Sequence, residues 1–510
     1  MNNTNTINKS KIPKDYADKP FILTFDIGSS SLRTMLFDRR GRMIEGTMSK
    51  IPYQLKSTVN GMAEIDADYI FNNFVISIDK TLMKSDKLAK SIKAVSGASF
   101  VFNILGLDSS YQPVTPVFTY ADYRNERESL ALQRKLDEHN YHNNTGCMLR
   151  ASHFPARFLW LKRTRPTIVK TIKYWVSIGE YVYLKLFNKL NVSFSIASWT
   201  GLFDRHNFNW EDSIFKFLNL STDSFSNLID IDNVYQGLAL NWRKRWPTLK
   251  NLPWIPPIND GAAANVGSGC LNNNTLALTI GTTSSFRITV PKKEFIQKGF
   301  CEHRLDKYHT LVSAPLNEGG NVFAWLQKIF NINDFTEIDY ELLKLKPTEH
   351  DLIILPFLNG ERAPGWVGDA KSTIKGINSS TNQIDIIHAF IESISYQCYI
   401  VYSKLIDNFL KSTDEKLKII VSGGSILRLN SWMQIMADVL GKKLFISSDD
   451  LSTSRGAAFV GLCNIGLLDD IKQAPVYIAK QISPNISIKG KYDEAIKKQK
   501  DLYDLFYNRD

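Results

Sequence analysis

The chain has 510 residues, 44% of them hydrophobic and 22% charged, which excludes a fibrous or disordered polymer and leaves apolar material for two or three cores. Lys and Arg number 62 against 51 Asp and Glu, a net charge of +11. The surplus is spread along the chain with no long basic block, so it reads as solvated surface, with neither a nucleic acid nor a membrane as partner.

Residues 1–20, MNNTNTINKSKIPKDYADKP, are polar, lack the apolar stretch of a signal peptide and read as a disordered leader. Residues 21–37, FILTFDIGSSSLRTMLF, then give an apolar run, a turn of Gly28 and three serines, and a second run containing Arg33. Helical periodicity covers 66–90 and 124–140 and, in pieces, 155–190, with β-like runs at Lys93–Gly97 and Pro116–Thr119. The small, turn-rich stretch within Asp260–Asn274 marks a boundary. Directly after it, TLALTIGTTSSFRITV (275–290) repeats the pattern of strand, glycine with hydroxyls, and strand, with Arg287 within one position of the place held by Arg33. Further helices are expected at Asn321–Phe330, Asn382–Phe409 and Ser431–Leu440, strands at Leu352–Leu355 and Lys418–Val421, and an exposed basic helix at Lys489–Lys500. The alternation predicts α/β layers, and the matched hairpins predict two similarly built halves, 21–265 and 266–470, followed by a tail over 471–510.

Five scattered cysteines with no C-x-x-C pair argue against a disulfide framework or a zinc site and for a reducing compartment, the cytoplasm. No run of about 18 apolar residues is present to span a membrane. The chemistry gathers at strand ends. In Asp26-Ile27-Gly28-Ser29-Ser30-Ser31 the glycine allows a tight turn, amides and hydroxyls can face phosphate oxygens, and the carboxylate can hold hydrated Mg²⁺; an ordinary hairpin turn is the alternative. The second hairpin has Thr279 in place of Asp26, so two phosphate clamps would share one metal centre. Asp260, ahead of glycine and a row of alanines, reads as the start of a tightly packed helix, either as a plain N-cap or as an ionised base. The paired glycines Gly423 and Gly424 end a strand and offer either close approach to a flat ring or a tight connection. No G-x-x-x-x-G-K-[ST] is present, so any nucleotide is held without a P-loop.

Together these segments resemble the FGGY carbohydrate kinases of the actin, hexokinase and heat-shock ATPase superfamily, most of all the gluconate-kinase branch. The likeness runs from Phe21 to Leu462 through DIGSSSLR (26–33), TPVFTYADYRN (115–125), TGCMLRASHFPARFLWL (145–161), SIGEYV (177–182), SIASWTGLFD (195–204), NDGAAANVGSG (259–269), TIGTTSSFR (279–287), PLNEGGNVFAWL (315–326), LPFLNGERAPGW (355–366), SGGSILRLNSWMQIMADVLG (422–441) and SRGAA (454–458). The resemblance implies an α/β fold of two ribonuclease-H-like, actin-like ATPase domains closing on a catalytic cleft, with the sugar on the N-terminal domain and ATP on the C-terminal one. By the same likeness Asp260 is the general base, and Asp26, with Asp260 beside it, holds Mg²⁺. Gly28, Ser29, Ser30, Arg33, Gly281, Thr282, Gly320, Gly423 and Gly424 would line the nucleotide and its phosphates.

Departures fall on the sugar side. Phe102 stands where many sugar kinases of the family have His, Arg150 where the gluconate branch has His, Tyr120 for a common Trp, and Leu451 for a frequent Glu. Arg150 can pair with a sugar acid's carboxylate or sit at the surface. Asp122 and Arg124 can touch substrate or fix a loop as an ion pair, and Ser152 belongs to the same candidate pocket with Phe102 and Asp260. The expected activity is ATP-dependent phosphorylation of a sugar acid or polyol, gluconate to 6-phosphogluconate first. Xylulose, ribulose or glycerol kinase activity, a nucleotide-gated regulatory protein without turnover, and a heat-shock-like ATPase are the alternatives. A homodimer is left open.

Overall fold

The computed structural model describes residues 10–272, 274–290, 296–410, 416–424 and 426–507. In the N-terminal half, β1 (Phe21–Ile27) is buried along its whole length and pairs antiparallel with β2 (Ser31–Phe37), which sets Asp26 directly opposite Arg33. β3 (Met43–Ile44) flanks β2, while β4 (Ile92–Ser99) runs parallel to β1 and β5 (Ile258–Asn259) parallel to β4. Helix α1 (Ala67–Ser85) starts at Asp66, whose carboxylate accepts the Tyr69 N–H at 2.7 Å, and turns Ile70, Phe74 and Ile78 onto this sheet. Helix α2 (Ile178–Phe187) opens with a capping box between Ser177 and Glu180 and joins the same core through Tyr181, Tyr183 and Leu186.

The C-terminal half repeats the plan. β6 (Thr275–Ile280) and β7 (Ser284–Val290) form the second hairpin. β8 (Cys301–Arg304) and β9 (Thr310–Leu316) extend it on the β7 side, and β10 (Lys418–Ser422), β11 (Leu444–Ser447) and β12 (Ile478–Ile482) on the other. Both sheets therefore begin with an antiparallel meander and add parallel strands beside the first one. Helices α4 (Gly320–Phe330), α5 (Gln383–Leu405) and α6 (Asn430–Leu440) cover the second sheet.

The halves are joined by two helices. α3 (Asp260–Gly267) follows β5, and its Asn265 donates to Thr289 on β7 at 3.3 Å. α7 (Ser452–Asn464) follows β11 and lies on β1 and β4, where a Cβ on Gly461 would sit 2.9 Å from Ile22. Where α3 and α7 cross, a Cβ on Gly456 would lie 1.8 Å from the Ala263 carbonyl oxygen and one on Gly267 1.8 Å from that of Ser452. Only glycine lets two helix backbones approach so closely. The apolar cluster around them draws on both halves, from Ile22, Ala94 and Ala98 to Ala262, Leu311 and Ala458. β8 makes a second seam: Glu302 N–H donates to the Gly146 carbonyl (2.9 Å), Arg304 N–H to Ser198 Oγ (2.9 Å), and Arg205 pairs with Glu302 (2.9 Å).

Two expectations need correction. Of the stretch read as a disordered leader, residues 1–9 lie outside the described residues, but Lys11–Ile12 forms an edge strand parallel to β3, anchored by Ile12, which is 2% exposed. One buried isoleucine in a polar sequence gives no periodic signal, which is why the reading failed there. The stretch after 470 does not stand apart either: β12 completes the second sheet, and helix α8 (Lys489–Tyr507) buries Tyr492, Ile496, Gln499 and Leu502 beneath its basic face.

Candidate active site

The two hairpins converge on Asp260: Asp26 of the first and Arg287 of the second both lie within electrostatic reach of its carboxylate. In the first, Gly28 N–H donates to the Ser31 carbonyl at 3.0 Å, Tyr53 O–H donates to the Gly28 carbonyl, and Ser29 meets the Tyr120 hydroxyl at 3.3 Å. Ser30 is exposed. In the second, Gly281 N–H donates to Thr283 (3.0 Å), Thr282 and Thr283 are exposed, and a Cβ on Gly281 would meet nothing within 4 Å. Helix α4 begins against this turn, with Gly320 N–H on the Gly281 carbonyl (2.8 Å) and Asn321 N–H on that of Thr282 (3.0 Å). These bonds spend the first amides of the helix on bracing the turn, while its positive end stands behind the exposed hydroxyls of Thr282 and Thr283. Gly423 has φ +108°, and a Cβ there would lie 2.3 Å from the Ile280 carbonyl oxygen, so glycine is required; Gly424 opens onto free space. Ser425, the next residue of that motif, lies outside the described residues.

Asp260 is the first residue of α3 but not its cap. Asn259 takes that role, accepting the Ala262 N–H at 2.6 Å, while Asp260 Oδ1 accepts the Gly261 N–H at 2.9 Å. Burial pushes its carboxyl up to about 6, while Arg287 and the Gly261 amide hold it down. A cleft of about 480 Å³ runs from Asp260 past Thr279 and Arg287 to Ser422, Gly423 and Gly424. Burial pushes Asp26 up to about 7 against the pull of Arg33, with Asp260 adding to the rise. No hydrogen bond or ion pair reaches the Asp26 carboxylate among the described residues. Two neighbouring carboxyls and a turn rich in hydroxyls are a hard, oxygen-only donor set, and a divalent cation between them would relieve their repulsion; the residues fit Mg²⁺.

Next to Asp260, a ring-lined wall reaches Gly261, where Trp199 lies 3.6 Å from the place of an added Cβ. Phe102, at φ +55°, sets its edge against His153 (centroids 4.9 Å) and Trp199 (5.2 Å), and Trp199 stacks on His303 of the opposite half at 3.5 Å. A bulky residue in the left-handed region is backbone strain, and such strain gathers at functional sites. Both ring nitrogens of His153, Trp199 Nε1 and Arg287 Nε are buried without a hydrogen-bond partner. Burial drives His153 and His303 down to about 3, so both rings are neutral. Unpartnered buried polar atoms in one wall are what a polyhydroxylated ligand satisfies. Glu318, in the turn before α4, is also buried with Oε1 unpartnered, and burial raises it to about 8.

Several sequence candidates are spent elsewhere. Asp122 is fully buried and holds Arg157 (2.8 Å) and Arg124, whose proximity keeps the carboxyl low despite burial, so of its two readings the structure gives the loop-fixing ion pair. Arg150 is bound to Glu138 at 2.7 Å and to the Leu149 carbonyl, and its guanidinium lies 5.3 Å from the Trp366 ring centre across the cleft. The guanidinium is thus partly engaged, through Nη1, while remaining partly exposed. Ser152 sits in the turn ahead of His153. The sequence reading missed His153, Trp199 and Glu318, and gave Arg287 no role, although all four stand inside quoted motifs; the signal was an aromatic, imidazole or charged residue beside the small residues of a turn.

Residues 21–267 match the model described as "FGGY family of carbohydrate kinases, N-terminal domain", and residues 276–465 match its C-terminal counterpart. The chain belongs to the FGGY family of carbohydrate kinases. It is thus an ATP-dependent kinase acting on a sugar. The gluconokinase of Bacillus subtilis is 25% identical over 88% of both chains, and the xylulose kinase of Lactococcus lactis is 22% identical over 95% of this chain and 96% of its own. Among solved structures, the gluconate kinase of Lactobacillus acidophilus superposes with a TM-score of 0.88 at 22% identity, covering 96% of this chain and 98% of that one. The FGGY fold, of two actin-like ATPase halves, is therefore the fold of this chain, as the resemblance implied, and its two halves are those the repeated hairpins predicted. No described helix is long and apolar enough to cross a membrane.

Proposed function

We propose that this FGGY kinase transfers the γ-phosphoryl group of ATP to the terminal hydroxyl of a sugar acid, converting gluconate to 6-phosphogluconate, with Asp260 as general base. The observation that carries the reading is Asp260 itself: a carboxylate relieved of capping duty by Asn259, at the mouth of a cleft that runs to Gly423 and Gly424. With its carboxyl near 6, it is mostly ionised at neutral pH yet basic enough to accept a proton. As the acceptor oxygen attacks the γ-phosphorus, its proton passes to Asp260 while the bond to the bridging oxygen of ADP breaks. Asp26 would hold hydrated Mg²⁺, which when bound supplies charge neutralisation at the phosphates. Gly28, Ser29, Ser30 and Arg33 from one turn and Gly281, Thr282 and Gly320 from the other would orient the triphosphate, and His153 and Trp199 the polyol. Gluconate kinases among the relatives at full length support the acceptor.

A ketose such as xylulose is the second reading, favoured by the pairing of Arg150 with Glu138, which offsets the charge a sugar carboxylate would meet there. ADP release should be measured with gluconate, xylulose, ribulose and glycerol. Asp260→Asn is expected to lower kcat by ~10²–10⁴-fold with ATP affinity held within a few-fold. No turnover of any panel member by folded protein with MgATP would refute the reading, and a collapse of ATP affinity in Asp260→Asn would make Asp260 a structural or metal residue.

A further inference from the structure

Arg287 is a cation without a carboxylate. It stands on β7 opposite Ala277 and Ser313, on the face turned toward α3, with Nε 3.6 Å from the point where a Cβ on Gly261 would lie. Its hydrogen bond is a long one, Nη1 to Thr279 Oγ1 at 3.3 Å, and Nε is buried with no partner. Asp260 is close enough for each to shift the other's proton affinity, yet no salt bridge joins them among the described residues. Several interior arginines, by contrast, reach a carboxylate: Arg157 pairs with Asp122 at 2.8 Å, Arg205 with Glu302 at 2.9 Å, and Arg455 with Asp449 at 2.7 Å.

Arg33 lies directly across from Asp26, whereas the second hairpin keeps an arginine but has Thr279 where the acid would be. A guanidinium is always charged, and withdrawing one from water with its donors unfilled costs several kcal/mol. The cost is recovered when an oxyanion arrives. Arg287 lines the same cleft as Asp260, Ser422, Gly423 and Gly424. An acceptor oxygen held by Asp260 must meet the γ-phosphorus there.

We infer that Arg287 is a catalytic residue of this kinase, an arginine supplied in cis whose free N–H groups bind the equatorial oxygens of the phosphoryl group in flight. The inference rests on the reading of Asp260 as base. Arg287 exchanges no proton: the acceptor O–P bond forms, the bond to the ADP oxygen breaks, the hydroxyl proton goes to Asp260, and the guanidinium offsets the charge gathering on the three oxygens between them. A planar fork matches that geometry, and an ammonium does not.

The test uses Arg287→Ala and Arg287→Lys in the full chain. Both are expected to lower kcat by ~10²–10³-fold to the same degree for gluconate and xylulose, with the KM for ATP within a few-fold, and free guanidinium is expected to restore part of the loss in Arg287→Ala. Affinity for MgADP with aluminium fluoride, which imitates the planar phosphoryl group, should fall in parallel while that for MgADP alone holds. A loss confined to gluconate and expressed in KM would overturn the inference and make Arg287 a reader of the sugar carboxylate. Unchanged kcat, or equal loss of MgADP with and without fluoride, would overturn it in favour of a structural role. The fluoride measurement needs no acceptor sugar, so a failed substrate panel would count against the proposed reaction and leave the reading of Arg287 decided by its own result.

Discussion

The crossing of α3 and α7 gives the sharpest prediction, because the space there is fixed by two backbones. A Cβ on Gly456 would lie 1.8 Å from the Ala263 carbonyl oxygen, 2.6 Å from its carbonyl carbon and 3.0 Å from its Cα. None of these is a side-chain tip that can swing aside, so Gly456→Ala must push the helices apart by about 1 Å, and overpacking of this kind costs about 1–3 kcal/mol. Asp260 begins the helix that has to move, and a displacement of about 1 Å at a reacting group costs about 10²-fold in rate. Differential scanning fluorimetry and steady-state kinetics read the two effects, with Gly490→Ala as the control: that glycine lies in helix α8 with nothing within 4 Å of an added Cβ. Gly456→Ala is expected to melt several degrees lower and turn over far more slowly, Gly490→Ala to match or exceed the parent. A Gly456→Ala protein with parental melting and turnover would refute the claim that this contact sets the position of Asp260.

Asp26, raised to about 7 from 3.8 by burial, is strained when ionised, so its cost is full above pH 7 and absent below the ordinary carboxylate range. Asp26→Asn should therefore gain up to about 4 kcal/mol at pH 8 without Mg²⁺, shrinking as the pH falls toward 4, while losing activity; urea unfolding at several pH values checks this. For the same reason kcat/KM should fall as the pH drops through 7 and then 6, the values of Asp26 and Asp260, with added Mg²⁺ moving the upper step downward. His153→Phe removes two unpartnered ring nitrogens and fills the same wall, so the KM for sugar should rise about tenfold or more with melting little changed. Glu392 accepts from His350 (3.1 Å), His388 (3.2 Å), Tyr396 (2.7 Å) and the Thr348 amide (3.1 Å); although burial raises its carboxyl, the histidine bonds outweigh this and hold it at about 2. Its contribution is present above pH 4.5 and lost as the pH falls toward 2, and Glu392→Gln should cost on the order of 3 kcal/mol at pH 7 by urea unfolding.

Much of this plan was legible in the residues. The turns at Gly28 and Gly281 are local, so strand, glycine and hydroxyls in succession announce them, and their repetition announces two halves. The start of α3 was legible too, because an acid before glycine and alanines has few alternatives. What the sequence could not give is which polar groups are left over. Asp122 and Arg150 look as available as His153 and Trp199 until the chain folds and Arg157 and Glu138 arrive from other segments. The exchange of α3 and α7 between the sheets was likewise beyond reach, since small residues at helical spacing promise a close neighbour without naming it.

The halves touch along two seams, the glycine crossing and the docked strand β8. Two bodies joined along two separate seams cannot shift independently, so a strain set up in one half is carried into the other. On the proposed reading the triphosphate is held by turns of both halves and the polyol by the first, so each would feel the arrangement that the other sets. Whatever either ligand does to the other's affinity is then returned in equal measure, and synergy between acceptor and ATP becomes a property of the binding rather than an added device.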